Sequence, residues 1–451
     1  MSKLKPITAK QQQRLNVADT KTRTDAWANL LTGVGVKGID RRADTTYRPT
    51  GRLSDGVLRD MYRGDGFARK IIDVPAKEMM RKGFTLVGDP DGFVNARFQE
   101  TGINKSVLKM LKWSRLFGGG FGVLGLKDGR EMSQPLNEPT LQSVEFMHVF
   151  DRYRVQWTSA DLYNDPKDAK FGKPKFYTVS PIGVGQSFKV HESRTVMIDG
   201  LEVPDQDRQS NQGWGDTSLQ PAFEHLRQFA AAYGGAEIII EDFIQAVLSI
   251  KNLQDMLATP EGTELVKRRL DLMDISRHVL HIKLLDADAE QYKKEASSVA
   301  GLSDLMDRFG TALAGVTGIP ATKLLGMAPA GLNATGESDI RNWYDDLSAE
   351  QEAILSPVYE RLCYLVFISK AGGFKGKEPE GWTIKWNPLY ELTAKEQAEL
   401  YKATADGDAA YIGAGVLDPG TVHDQRFMGD GFGGIVDQDE APEQTETGAA
   451  E

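Results

Sequence analysis

At 451 residues the chain exceeds the length at which one hydrophobic core usually stops growing, so more than one substructure is expected. A composition of 40% hydrophobic and 26% charged residues is ordinary for a soluble globular protein, and no apolar run approaches the ~20 residues of a membrane helix. The net charge of −10 argues against gripping nucleic acid over a broad basic face, and leaves open a protein that lets nucleic acid slide past.

The N-terminal stretch is polar and lacks the apolar centre of a signal peptide, and residues 1–57 read as a flexible arm. The single cysteine, Cys363, cannot form an internal disulfide, which fits folding in a reducing, intracellular setting. Leu362, Leu365 and Val366 around it predict a buried structural thiol.

Residues 58–82, "LRDMYRGDGFARKIIDVPAKEMMRK", predict a helix interrupted near Pro75. Arg63-Gly64-Asp65 spells an adhesion tripeptide, but such a tripeptide recurs by chance and nothing points to secretion. It is read as structure. Residues 104–115 predict a helix with Val107, Leu108, Leu111 and Trp113 on its apolar side. The helix leads into "LFGGGFGVLGL", where Gly120, Gly122 and Gly125 have the spacing of a dinucleotide-binding loop. That loop must follow a strand and open a helix, whereas here a helix precedes and a strand follows. Close packing at a helix-to-strand turn is expected instead. No Gly-Lys-Ser/Thr is present, so a P-loop fails too.

Residues 141–200 turn β-rich in "VEFMHVF", "YRVQW", "KFYTVSP" and "RTVMIDG". A long helix is expected from Ser218, capped by Thr217 or Ser218 and weakened at Gly234-Gly235. A strand "QAVLSIK", a helix over residues 261–273, and strands "HVLHIKLL" and "EQYKKEA" follow. A second helix from Ser298 carries Leu302, Leu305, Phe309, Leu313 and Val316 on one face. Two helices flanking a small α/β insert make a stalk with a tip.

After the loop "GIPATKLLGMAPAGLNATG", an apolar stripe from Ile340 through Trp343, Leu347 and Val358 to Val366 predicts a helix over residues 338–369, roughly 45 Å long. Pro357 should kink it near Ala353. A polar helix over residues 393–404, a short helical pair joined at Pro419, and an acidic tail without Lys or Arg complete the chain.

No catalytic constellation emerges. His148, His191, His225, His278, His281 and His423 show no helical metal-site spacing, and one cysteine excludes a thiolate zinc site. Glu237, Glu241 and Asp242 read as a solvated helix face. A two-histidine phosphodiesterase needs two His-x-Ser/Thr motifs, one histidine as base and one as acid, and only His191-Glu192-Ser193 supplies one.

The order of helix, small α/β insert, helix, glycine loop and long kinked helix resembles a tailed-bacteriophage portal protein. The residues carrying the resemblance are "RGDGFARKIIDVPAKEMMRKGF" from Arg63, "LKWSRLFGGGFGVLGL" from Leu111, "GWGDTSLQPAFEHLRQF" from Gly213, and "GIPATKLLGMAPAGLNATGESDIRNWYDDLSAEQEAILSPVYERL" from Gly318. It spans about residues 58–427. It implies an α+β portal fold: arm 1–57, mixed α/β wing 58–216, stem helix 217–244, clip 245–297, second stem helix 298–317, tunnel loop 318–337, long wing helix and following strand 338–392, helical crown 393–427 and acidic tail 428–451. It further implies a ring, commonly of twelve subunits, at one capsid vertex of the virion, assembled in the host cytoplasm, with double-stranded DNA packaged and ejected through its channel. Implied partners are the large terminase subunit, the head-tail adaptor, and major capsid and scaffold proteins, with no membrane, cofactor, metal or catalytic residue. Lys323, Gly326, Gly331, Asn333 and Gly336 would form the tunnel loop beside DNA. Lys251, Lys267, Arg268 and Lys283 would offer the clip docking surface. Some relatives in that family are described as nucleotide-cleaving anti-defence proteins; the missing second His-x-Ser/Thr speaks against that activity.

Overall fold

The computed structural model describes residues 51–241, 244–250, 253–275, 290–296, 301–326, 336–391 and 394–426. The chain divides into a unit of residues 1–57 and a unit of residues 58–451; apart from the first turn of helix α1 (Asp55–Gly64), the elements below belong to the second. Helix α2 (Gly66–Arg81) starts where the Asp65 carboxylate accepts the backbone N–H groups of Phe67 (2.8 Å) and Ala68 (3.2 Å). The tripeptide Arg63-Gly64-Asp65 is therefore a helix end followed by a helix cap.

The expected interruption thus falls at Gly64-Asp65 and not at Pro75, which sits inside α2. Proline lacks an N–H, so the carbonyl of Ile71 four residues back loses its helical donor. The Arg115 guanidinium donates to that carbonyl at 3.2 Å, which removes the penalty of a buried bare acceptor. The helix runs on.

Strand β1 (Phe84–Val87), helix α3 (Phe93–Thr101) and helix α4 (Ile103–Phe117) come next, followed by β2 (Gly119–Leu126), β3 (Val144–Asp151), β4 (Val155–Gln156), β5 (Phe176–Val179), β6 (Phe188–His191) and β7 (Thr195–Asp199). They form two antiparallel three-stranded sheets, ordered β3-β2-β7 and β4-β5-β6. Phe121, Val123, Val155, Tyr177, Val179, Val190 and Trp214 fill one core cluster between them. This closeness requires the glycine run: a Cβ on Gly119 would lie 2.2 Å from the Trp214 ring, and one on Gly120 would lie 2.1 Å from the Met110 carbonyl oxygen. As the sequence context indicated, these glycines serve close packing where α4 turns into β2.

Short helix α5 (Asp205–Ser210) precedes α6 (Phe223–Glu241), which begins five residues later than Ser218 and passes through Gly234-Gly235 without a break. The delay has a tertiary cause. The Arg115 carbonyl accepts both the Ser218 N–H (2.8 Å) and the Thr217 hydroxyl (3.0 Å), holding those residues outside the helix. Beyond α6, β8 (Ile244–Ile250) pairs antiparallel with β9 (Glu290–Ala296), from Ile244↔Ala296 to Ile250↔Glu290. Between them lie α7 (Leu253–Leu257) and α8 (Pro260–Ile275). The strand expected at "HVLHIKLL" lies outside the described residues, as do His278 and His281. Helix α9 (Leu302–Thr317) returns to pack on α6, with Gly310 beside Phe229 and Leu325.

The one-turn helix α10 (Ala321–Leu324) is followed by α11 (Glu337–Glu350), a π-helical turn at Gln351–Leu355 and α12 (Ser356–Phe367). The expected disturbance near Ala353 is this π turn, whose wider ladder accommodates the missing N–H of Pro357. Gln351 is fully buried, and its amide donates at 2.6 Å to the Met79 carbonyl near the C-terminal end of α2. Strand β10 (Thr383–Trp386) pairs with β1, which was not foreseen, and α13 (Ala394–Gly413) and α14 (Pro419–Arg426) end the described chain. Cys363 is fully buried, and that burial pushes its thiol well above the ordinary value. The architecture is α+β, with no helix among the described residues long and apolar enough to cross a membrane.

Candidate functional site

The segment between α9 and α11 is held at its N-terminal side by a set of charged contacts to α2. Lys70 donates to the Leu324 carbonyl at 2.7 Å, tying down the end of α10. One residue earlier, the Lys323 ammonium lies 3.1 Å from Glu78 and 5.7 Å from the centre of the Tyr344 ring. Glu78 also accepts from Arg81 at 2.7 Å and from the Tyr344 hydroxyl at 3.3 Å. Burial opposes ionisation of Glu78, yet the bonds from Lys323 and Arg81 outweigh it and hold the carboxyl below its usual range. Burial likewise works against the Lys323 charge, and Glu78 with Tyr344 more than compensates. Both groups are ionised at neutral pH.

Beyond this footing the backbone turns at two left-handed glycines, Gly326 (φ 75°) and Gly336 (φ 57°). A side chain would be strained at either position. Gly331 and Asn333, between them, lie outside the described residues. Lys323 therefore directs its charge to Glu78 at the base of the segment. Sequence reading had no route to this pair, because its members are 245 residues apart. Of the expected docking residues, Lys267 is exposed and Arg268 lies 3.9 Å from Glu264, both side chains largely in solvent. Such an exposed pair is worth little. Lys251 and Lys283 lie outside the described residues.

His191-Glu192-Ser193 folds into a turn rather than an open catalytic surface. His191 is 5% exposed, its Nδ1 accepts the Ser193 N–H at 3.2 Å, and the Ser193 hydroxyl lies 2.9 Å from the same nitrogen. That hydroxyl also accepts the Leu136 N–H at 2.9 Å. Glu192 is taken by Tyr163 (2.8 Å) and Lys170 (2.6 Å). Burial lowers the histidine's proton affinity, with Glu192 opposing it and nearby cations reinforcing it. A neutral imidazole accepting a backbone N–H fits a turn cap. Among the described residues, no group of three or more His, Cys, Asp or Glu is placed to hold a metal ion.

Comparison with known proteins adds a family. A family model described as "Phage portal protein" matches residues 57–410. The chain is 30% identical over 406 residues to the "Anti-CBASS protein Acb1" of Caulobacter sp. (strain RHG1), covering 86% of this chain and 63% of that protein. It is 29% identical over 402 residues to the "Anti-CBASS protein Acb1" of Sphingomonas paeninsulae, covering 87% and 63%. The chain thus spans less than two thirds of the length of these two relatives. Among solved structures it is similar to a chain from "Neck of native GTA particle computed with C12 symmetry", at 15% identity and a TM-score of 0.49, covering 85% of this chain and 96% of that one.

Proposed function

The chain belongs to the phage portal protein family, and from that premise we propose that it assembles into a ring, commonly of twelve subunits, through which double-stranded DNA enters and leaves a capsid. The observation that carries this reading is the family match, which runs through the sheets, the α6/α9 pair and the long π-turned helix. In this reading α6 and α9 are the stem, the elements from β8 to β9 are the clip facing the terminase motor and later the head-tail adaptor, and α13 with α14 is the crown. The body and long helix form the wing against capsid and scaffold proteins, placing the protein at the portal vertex of the virion after assembly in the host cytoplasm. The segment between Gly326 and Gly336 is the tunnel loop, and Lys323 anchors its base rather than competing for phosphate. Negative-stain electron microscopy of the purified full-length chain is expected to show rings with a central hole. A chain that stays monomeric at every concentration would overturn the proposal.

The name of the two relatives favours a second reading, a cyclic-nucleotide phosphodiesterase with an anti-defence role. More than a third of each relative lies outside the match, and in this chain the His191 motif caps a buried turn. The expected outcome is no cyclic-dinucleotide cleavage by the ring protein. Turnover that disappears in His191→Ala, with the ring intact, would restore the enzyme reading.

A further inference from the structure

Helix α4 carries Lys105, Lys109, Lys112 and Arg115 and not one acidic residue, in a chain whose net charge is −10. Helix α2 beside it carries Arg69, Lys70, Lys77 and Arg81 against Asp73 and Glu78. Three of these eight cations are engaged inside the protein: Lys70 on the Leu324 carbonyl, Arg81 on Glu78 and the Leu389 carbonyl, and Arg115 on the Ile71 carbonyl near Glu350. Glu78 is likewise occupied by Lys323 and Arg81. Five cations remain, and Asp73 is the only other carboxylate on the two helices.

These five gather on one surface. Arg69, Asp73 and Lys77 follow at four-residue steps along one side of α2, and Lys105, Lys109 and Lys112 follow at four- and three-residue steps along one side of α4. The contacts Arg115 to Ile71 and Lys112 to Asp73 run in opposite directions along the two helices, which makes the rows antiparallel neighbours. Asp73 stands between them, 3.1 Å from Lys112, 3.4 Å from Lys77, 3.9 Å from Arg69 and 2.9 Å from the Tyr62 hydroxyl. Its side chain is 10% exposed and that of its partner Lys112 18%, so Lys112 is the recessed member of the face, while those of Arg69 and Lys77 are 60% and 59% exposed and Lys105 and Lys109 also lie in solvent. One sunken carboxylate fixes Arg69, Lys77 and Lys112 in place and offsets only one of the five positive charges. Arg69 is further ordered by the Tyr62 ring, 5.4 Å from its guanidinium.

We propose that this two-helix basic face, formed by Arg69, Lys77, Lys105, Lys109 and Lys112, is a contact surface for the phosphate backbone of double-stranded DNA. Protein interfaces are built around an apolar centre and are poor in lysine. No large hydrophobic side chain of α2 or α4 is exposed, so the face lacks what an acidic protein partner would also require. A polyanion needs only clustered cations. The row from Arg69 to Lys77 rises about 12 Å, which spans some three phosphates of one strand at 3.4 Å per charge. The choice of DNA among polyanions rests on the conduit reading above.

Fluorescence anisotropy with the full-length protein and a short random-sequence duplex tests this. The plot of log affinity against log salt is expected to slope by about −4, and the Lys77→Gln/Lys105→Gln/Lys109→Gln variant is expected to flatten it by about 3, near one unit for each phosphate no longer neutralised. All three lysines are exposed, so the variant should keep the wild-type unfolding midpoint. An unchanged slope in a folded variant overturns the proposal. So does a wild-type protein that binds poly-glutamate but not duplex. Imaging of the same samples separates the two ideas: intact rings with an unaltered slope sink the basic face and leave the conduit, whereas absent wild-type rings sink the conduit while the DNA contact stands.

Discussion

Replacing Arg194 with methionine should lower the stability of the folded chain by about 3–5 kcal/mol, the usual cost of stranding one member of a buried ion pair. Arg194 and Asp128 have side chains 1% and 0% exposed. Two parallel bonds join them, at 2.6 and 3.1 Å, and the Arg194 Nε donates to the Gln134 carbonyl at 2.8 Å. Asp128 in turn accepts the backbone N–H groups of Asn137 (3.0 Å) and Arg130 (3.2 Å). The pair thus pins the whole connection between β2 and β3 to the turn that follows His191. Methionine fills similar space but leaves a carboxylate with no cation in a dry site. A domain has only about 5–15 kcal/mol to lose, so the loss should show as a large drop in the urea midpoint.

The same pair carries a pH signature. Burial favours the neutral acid at Asp128, but Arg194 first, then the N–H groups of Asn137 and Arg130, hold the carboxyl below its usual range. A carboxyl depressed on folding contributes stability above its unfolded value, near pH 4, and that contribution is lost as pH falls through the folded value. In Arg194→Met the largest cause of the depression is gone while the Asn137 and Arg130 N–H groups remain, so acid unfolding should begin at a higher pH than in the wild type. A variant with the wild-type urea midpoint and acid limb would show that the pair does not hold this connection.

The second large effect is expected at Trp214. It is 1% exposed and packs on Trp157 and Phe121, with ring centroids 5.5 and 6.5 Å away. Trp214→Ala should cost about 3–5 kcal/mol as a cavity in the core between the sheets. Gly119→Ala alone should cost about 1–3 kcal/mol, since its new methyl would sit 2.2 Å from the indole. Combined, the two should cost clearly less than the sum, because the methyl then enters space the indole has left. Strict additivity in chemical denaturation would show that the indole is not what requires glycine at this position.

The glycine run illustrates what sequence context alone can decide. A helix before it and a strand after it were enough to reject a phosphate loop, and the close packing expected there is what Trp214 and Met110 impose. The strands "QAVLSIK" and "EQYKKEA" were equally legible as strands, but that they pair antiparallel with each other was not, because the pairing joins residues some forty or more positions apart. Pro75 and Ser218 are the opposite case. Proline's missing N–H argued for an interruption, and Ser218 looked like a helix start, yet both outcomes turned on Arg115, whose side chain serves Ile71 and whose carbonyl holds Thr217 and Ser218. A bond between residues 44 or 102 positions apart leaves no mark in local periodicity.

Charge followed the same division. The net charge argued against a broad basic face over the whole protein but says nothing of a local one, and the acid-free stretch of α4 was readable in its letters. Only the antiparallel packing of α4 on α2 turns two ordinary helix faces into one continuous cationic surface. Likewise the sequence by itself determined a glycine-bounded segment ahead of a long helix disturbed near Ala353, because backbone preferences of Gly and Pro are local. That Lys323 neutralises Glu78 at its base, and that Asp73 neutralises too little of the cationic face, was decided by tertiary structure, since which charge meets which depends on distances that only folding sets.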